Sequence, residues 1–404
     1  MNTKKQIAVI GTVGLPANYG GFETLTEHLV KNMGSQYDVT VYCSGKRYPK
    51  SNRKPFHGKA KLHYIPLEAN GIQSIFYDSW SILHALRYAD VLLVLGVAGA
   101  WLLPFVRLFT RKKIVISIDG IEWKRDKWNW MAKCYLWWAE SIAVRYSHID
   151  IADNESIQDY TAIRYKTLSR IVEYGADHTL QVAPTADDKQ NYAFLRNPYA
   201  FKVCRIEPEN NVHEVLKAFS ELPEYTLVIV GNWSKSEYGI RLREQYSTYA
   251  NIILFDPIYD QRSLDLLRSN AFVYVHGHSA GGTNPSLVEA MSLGLPILAY
   301  GVSYNRTTTE ESALYFNDAE SLRQLIRKTP VKKLIEIGRK MKRVAQRRYT
   351  WKLISTRYES LIQEAIAIKT KSVAAPSITN LDQNTLLKHE ASHLSHAQLF
   401  YEQA

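Results

Sequence analysis

The stretch from Ala271 to Pro296 constrains the fold more than any other. Its first part, Ala271 to Val275, is β-branched and aromatic, the composition of a buried strand. A small-residue turn follows, Ser279-Ala280-Gly281-Gly282-Thr283. Asn284 can then cap a helix, and Pro285 suits its first position. Leu287, Val288, Ala290 and Met291 give that helix an apolar side, and Gly294-Leu295-Pro296 ends it. Strand, glycine turn and helix start together form an anion site. Free backbone N–H groups, the helix dipole and the missing Cβ atoms let a phosphate approach closely. His276, His278, Thr283, Asn284 and Ser286 crowd the same turn. Glu289, one turn further on, is placed to reach a sugar hydroxyl beside the phosphate. A carboxylate on an otherwise apolar helix face costs energy unless it is paired or functional. An ordinary βα turn is the competing reading. Open α/β sheets bind ligands at their strand carboxyl ends, which favours the ligand.

A chain of 404 residues is too long for one typical core, so two domains are expected. The three cysteines, Cys43, Cys134 and Cys204, show neither pairing nor metal-ligand spacing, which fits a reducing cytoplasm. The start, MNTKKQIAVIGTVG, lacks a secretory pattern and reads as a first strand. A net charge of +11 suits nucleic acid, an anionic membrane or a phosphate-bearing substrate. No nucleic-acid motif appears, so nucleic acid is the weakest of the three. Residues 91–109 are nearly long enough to span a bilayer, but Gly96, Gly99, Pro104 and Arg107 interrupt them. They read as strand, loop and short helix.

Along the chain, short apolar runs alternate with helical stretches, the pattern of doubly wound parallel sheets. Strands are expected at residues 6–11, 39–43, 62–65, 91–95, 113–117, 149–152 and 171–173. Gly20-Gly21 precede a first helix, and residues 44–60 read as an exposed basic loop. The helix expected over Trp128 to Tyr146 interleaves Trp130, Trp137 and Trp138 with Lys133 and Arg145. Such a helix suits a membrane interface or a core equally. Residues 175–199 are polar and read as an inter-domain linker. The second sheet is expected from strands at 200–204, 226–230, 252–255, 272–275, 297–300 and 313–316. Trp351 to Ala367 is amphipathic. The segment 368–404, with His389, His393 and His396, reads as a flexible solvated tail, not a metal site.

Two such domains followed by a last helix resemble the GT-B glycosyltransferases, in detail retaining glycosyltransferase family 4. The resemblance covers roughly residues 6–366 and rests on named segments. Residues 11–16 (Gly-Thr-Val-Gly-Leu-Pro) and 19–23 (Tyr-Gly-Gly-Phe-Glu) resemble that family's first glycine loop. Residues 205–211 (Arg-Ile-Glu-Pro-Glu-Asn-Asn) resemble the segment whose Arg and Lys grip the donor diphosphate. Residues 284–291 (Asn-Pro-Ser-Leu-Val-Glu-Ala-Met) resemble the helix whose Glu binds the nucleotide ribose. Gly-Gly-Phe-Glu, Asp-Gly-Ile-Glu-Trp-Lys-Arg and Gly-Gly-Thr-Asn-Pro-Ser look like a bacterial rhamnosyltransferase subgroup that builds surface polysaccharides. Three positions depart from the family: Gly281 stands where a first Glu is usual, Asn210 where a Lys is common, and Asp119 where many members have a His.

The resemblance implies two Rossmann-like domains facing across a cleft. Residues 1–180 would bind the acceptor, 195–348 the nucleotide sugar, and a helix at 349–367 would cross back to the first domain. It implies transfer with retention of a sugar, rhamnose from dTDP-rhamnose, onto a lipid-linked saccharide. Asp119, Arg205 and Glu289 are the expected catalytic residues. Donor binding is expected of Gly20, Gly21, Arg205, Asn210, Gly231, His278, Gly281, Gly282, Thr283, Asn284, Ser286 and Glu289, and acceptor binding of Glu23, Asp119 and Glu122. No metal or other cofactor is expected. The enzyme would work in the cytoplasm at the inner face of the cell membrane, in peripheral contact with anionic lipid. The alternatives are a nucleotide-sugar epimerase and a non-catalytic nucleotide-sugar-binding partner.

Overall fold

The computed structural model describes residues 4–17, 20–118, 120–125, 128–368, 383–388 and 392. The chain divides into two compact units, Met1–Glu173 with Trp351–Ala404, and Tyr174–Thr350.

The first unit holds an eight-stranded sheet. Its strands are β1 (Lys5–Ile10), β2 (Tyr37–Ser44), β3 (Phe56–His57), β4 (Ala60–Ile65), β5 (Val91–Leu95), β6 (Lys113–Ser117), β7 (Ile149–Ala152) and β8 (Arg170–Ile171). They lie in the order β3-β4-β2-β1-β5-β6-β7-β8, all parallel except the short β3, which pairs antiparallel with β4. Residues 44–60 are therefore not simply a loop, since β3 adds an edge to the sheet. The run Val-Leu-Leu-Val-Leu of β5 is buried throughout. Both faces of a central parallel strand are covered by helices, so its side chains do not alternate with polar ones. After β5 comes the short helix Leu103–Phe109. No helix among the described residues is long and apolar enough to cross a membrane.

The helix Trp351–Ala367 belongs to this first unit. Trp351 stacks on His28 with ring centroids 4.2 Å apart, Glu364 pairs with Arg170 at 2.5 Å, and Arg357 pairs with the buried Glu173. Of the tail, Gln383–Lys388 is helical, with Leu386 buried. His389, His393 and His396 lie outside the described residues.

The second unit holds six parallel strands: β9 (Tyr199–Val203), β10 (Thr226–Val230), β11 (Ile252–Phe255), β12 (Val273–His276), β13 (Ile297–Tyr300) and β14 (Leu314–Phe316). Their order is β11-β10-β9-β12-β13-β14. The order reverses between β9 and β12, and the loops leaving these two strands form the switch point where open α/β sheets bind ligands. Residues 175–199, expected as a linker, group with this unit. Polar side chains are what fasten them. Leu180 N–H donates to Asp265 at 3.0 Å, Val182 N–H to Ser269 Oγ at 3.1 Å, and Asn270 Nδ2 to the Val182 carbonyl at 2.7 Å.

Candidate functional site

The segment 205–211 leaves β9, and the turn 277–284 leaves β12. Side chains and backbone lock the two together. Ser279 donates to the Glu209 carbonyl twice, from N–H at 2.8 Å and from Oγ at 3.0 Å. Asn211 Nδ2 donates to the Gly277 carbonyl at 2.8 Å, and His278 Nδ1 lies 3.1 Å from Asn210 Oδ1. Asn305 Nδ2 closes the far side by donating to the His278 carbonyl at 2.8 Å. Two motifs seventy residues apart in the chain thus become one surface.

Gly277 is required by this contact. A Cβ there would sit 2.4 Å from the Asn210 carbonyl oxygen, which is backbone and cannot swing away. Gly277→Ala should therefore force the two loops apart, at a cost of about 1–3 kcal/mol. Urea unfolding checks this: an unchanged midpoint would mean the loops are not held as described. Gly281 serves differently. Its φ of +118° turns the chain in a way L side chains resist, delivering Gly282 and Thr283 to the helix start. Asn284 caps Pro285–Ser292, accepting from Ser286 N–H at 3.1 Å and from Ser286 Oγ at 2.8 Å.

Arg205, the expected diphosphate ligand, is half-buried and forms no ion pair or side-chain hydrogen bond among the described residues. A guanidinium so placed is free to offer its donor fork. Gly231, at the end of β10, packs so closely on Cys204 and Ile206 that a Cβ would lie 2.7 Å from the Cys204 carbonyl oxygen. The carboxylate oxygens of Glu209 are buried without hydrogen-bond partners among the described residues, as is Nε2 of His276. Burial, then the charges of Lys202 and His278, hold the His276 imidazole well below its usual pKa, so it is neutral.

Glu289 has partners that the sequence reading does not single out. Arg268 Nη2 lies 2.9 Å from one carboxylate oxygen, and His178 Nε2 lies 3.3 Å from the other. Arg268, itself buried, also faces Asp265 at 3.4 Å. Burial acts to raise the Glu289 carboxyl, but Arg268 and His178 outweigh it, so the group sits below the ordinary carboxylate range. Pairing thus meets the electrostatic cost that a carboxylate on an apolar helix incurs. Each oxygen still has a second lone pair for a hydroxyl donor. Arg268 resembles an ordinary basic residue in the last turn of Gln261–Ser269, and His178 lies in the polar stretch mistaken for a linker. Neither carries a local signal. Lys202 does carry one: it is the one charged residue inside the otherwise apolar and aromatic strand β9.

In the first unit, Gly20 and Gly21 stand at the start of Gly21–Asn32. Glu23, expected to meet an acceptor, is buried and accepts from Val13 N–H at 2.8 Å, bracing the glycine loop. Glu122 is likewise engaged. Trp128 Nε1 donates to it at 3.0 Å, and Arg125 Nε lies 2.9 Å away in ion-pair contact. Asp119 lies outside the described residues. The helix Trp130–Tyr146 turns its tryptophans outward: Trp130 is 73 % exposed, while Ala139, Glu140, Ala143 and Val144 face the core. Trp138 and Tyr135 instead line a groove of about 640 Å³ with Phe76, Trp80, Leu83 and Trp101.

Comparison with known proteins follows the same division. Residues 185–346 match the family "Glycosyl transferases group 1", and residues 4–177 match "Domain of unknown function (DUF1972)". No curated protein matches the chain. Among solved structures, sucrose-phosphate synthase from Thermosynechococcus elongatus is similar with a TM-score of 0.73 at 16% identity, over 90% of this chain and 100% of that one. HepE of Anabaena, in complex with UDP and glucose, gives 0.69 at 14% identity over 89% and 100%. A glycosyltransferase from Rickettsia africae gives 0.68 at 14% over 91% and 100%. Residues 185–346 thus match a glycosyltransferase family model, and the chain's two α/β units share the GT-B fold of these solved structures.

Proposed function

We propose that this chain transfers rhamnose from dTDP-rhamnose, with retention, onto a lipid-linked saccharide in surface polysaccharide synthesis. One observation carries the donor half of this reading: the locked loops 205–211 and 277–284, with an unpaired Arg205 beside a glycine turn and a capped helix start. Breaking the sugar–phosphate bond leaves negative charge on a diphosphate. Arg205 and the backbone donors of Gly281, Gly282 and Thr283 take up that charge, with the helix dipole behind them. Glu289, oriented by Arg268 and His178, accepts from the ribose. For Asp119, a role at the reacting sugar or the acceptor rests on the motif resemblance alone. Rhamnose as the sugar rests on the motif resemblance, and a 6-deoxy sugar with fewer hydroxyls suits Gly281 in place of a carboxylate. No metal enters this scheme, so a chelator should leave transfer unchanged.

Support for a lipid-linked acceptor comes from the apolar surface of the first unit. Trp80, Leu83 and Trp101 at the groove and Leu108 and Phe109 on the helix Leu103–Phe109 are exposed. Arg87 and Arg111 lie exposed just beyond the ends of the helices Gln73–Ala85 and Leu103–Phe109. Patches of this kind mark lipid or protein contacts, and the net charge of +11 favours an anionic bilayer. Vesicles with anionic lipid should bind the protein, and rising salt should weaken the binding. Leu108→Glu should abolish it without unfolding the protein, since Leu108 is 74 % exposed. Equal binding by this variant would place the contact elsewhere. The reaction itself is tested by incubating labelled dTDP-rhamnose with membrane lipids and extracting the product into organic solvent. Label in the organic phase, in the donor's anomeric configuration, is expected. Label confined to water would overturn the acceptor assignment, and the opposite anomer would overturn retention.

A further inference from the structure

We propose that Lys202 is a second cation for the donor diphosphate, reaching the joined loops from beneath through the space that Gly277 leaves open. The proposal rests on the donor reading above. Lys202 lies inside β9, whose neighbours are β10 and β12, and it is 1 % exposed. An ammonium taken so far out of water is costly unless an anion or several acceptors meet it. Among the described residues, Lys202 has no carboxylate within ion-pair distance and no side-chain hydrogen bond. Burial accordingly lowers its pKa.

The position of Nζ decides what could meet it. The side chain runs towards the carboxyl end of the sheet, where Nζ lies 3.0 Å from the point a Cβ on Gly277 would occupy. That same point is 2.4 Å from the Asn210 carbonyl oxygen. The ammonium therefore ends at the junction of the two loops. The buried His276, whose Nε2 lacks a partner among the described residues, is close enough to feel its charge. A neutral imidazole nitrogen and an unpaired ammonium at one strand end match a phosphate oxygen, which can accept from both. Arg205 meets the diphosphate as a fork from one loop, and Lys202 meets it as a point charge from within the sheet.

Calorimetry with thymidine and dTDP on the full chain tests this. Wild type should bind dTDP more tightly than thymidine. Lys202→Met should bind thymidine as wild type does and lose about tenfold or more in dTDP affinity, the scale of one charge-assisted hydrogen bond. Without nucleotide, that variant should melt no lower than wild type, because the methionine replaces an unpartnered charge. Adding Asn210→Lys, which supplies a lysine at the same junction, should recover most of the lost affinity. Lys202→Gln, polar to the same depth, serves if the methionine variant does not fold. Undiminished dTDP binding by a folded Lys202 variant would overturn the proposal alone. A wild type that binds no nucleoside diphosphate, dTDP or UDP, would overturn the donor reading and this proposal with it.

Discussion

Arg268→Met should cost the second unit about 3–5 kcal/mol, because it strands two carboxylates inside the fold. Arg268 bridges Asp265 at 3.4 Å and Glu289 at 2.9 Å, and all of its length is buried. Asp265 would keep its donors, Leu180 N–H at 3.0 Å and Gln261 Nε2 at 2.7 Å. Glu289 would keep only His178 among the described residues. The urea midpoint should fall accordingly, and residues 174–182 should become sensitive to protease, since Asp265 also anchors them. The same cluster sets a pH dependence. The Glu289 carboxyl lies below its usual value, so its contribution to stability is complete above about pH 4.5 and is lost as pH falls through the depressed pKa. In Arg268→Met that acid-side loss should begin at higher pH. An unchanged midpoint and an unchanged acid profile would show that Arg268 does not support Glu289.

Arg205→Ala should behave in the opposite manner. Its guanidinium has no partner among the described residues, so stability should stay within about 0.5 kcal/mol of wild type. Turnover of the nucleotide sugar should fall at least about tenfold, the scale of one lost charge-assisted bond in the transition state. Steady-state kinetics beside a melting curve separates the two effects. A variant that melts normally and turns over normally would remove Arg205 from the site. The contrast matters because both are arginines of the second unit, yet one is spent on structure and the other is unspent.

Sequence pattern is informative wherever one strand's own composition decides its burial. The bounds expected for Val91–Leu95, Lys113–Ser117, Thr226–Val230, Ile252–Phe255 and Ile297–Tyr300 are those observed, because each is an apolar run that reads without knowledge of its neighbours. Helix starts shift where a cap decides them. The helix after residue 128 begins at Trp130, since Asn129 accepts from Ala132 N–H at 2.9 Å. The segment 175–199 misleads because polar composition marks a linker and a side-chain-fastened strap alike. The glycine turns are visible in sequence, since backbone freedom is local. The fastening of 205–211 to 277–284, the Arg268–Glu289–His178 cluster and the reach of Lys202 are not, because each joins residues distant in the chain through contacts that no periodicity records.

The most direct measurement is dTDP release from dTDP-rhamnose, with and without a membrane extract containing lipid-linked saccharide. Release that depends on the extract is the predicted result, and Arg205→Ala should suppress it. Release from the donor alone at the same rate would contradict transfer to an acceptor. Silence with dTDP, UDP and GDP sugars alike, from a protein that still binds them, would make the chain a nucleotide-sugar binder and not a transferase.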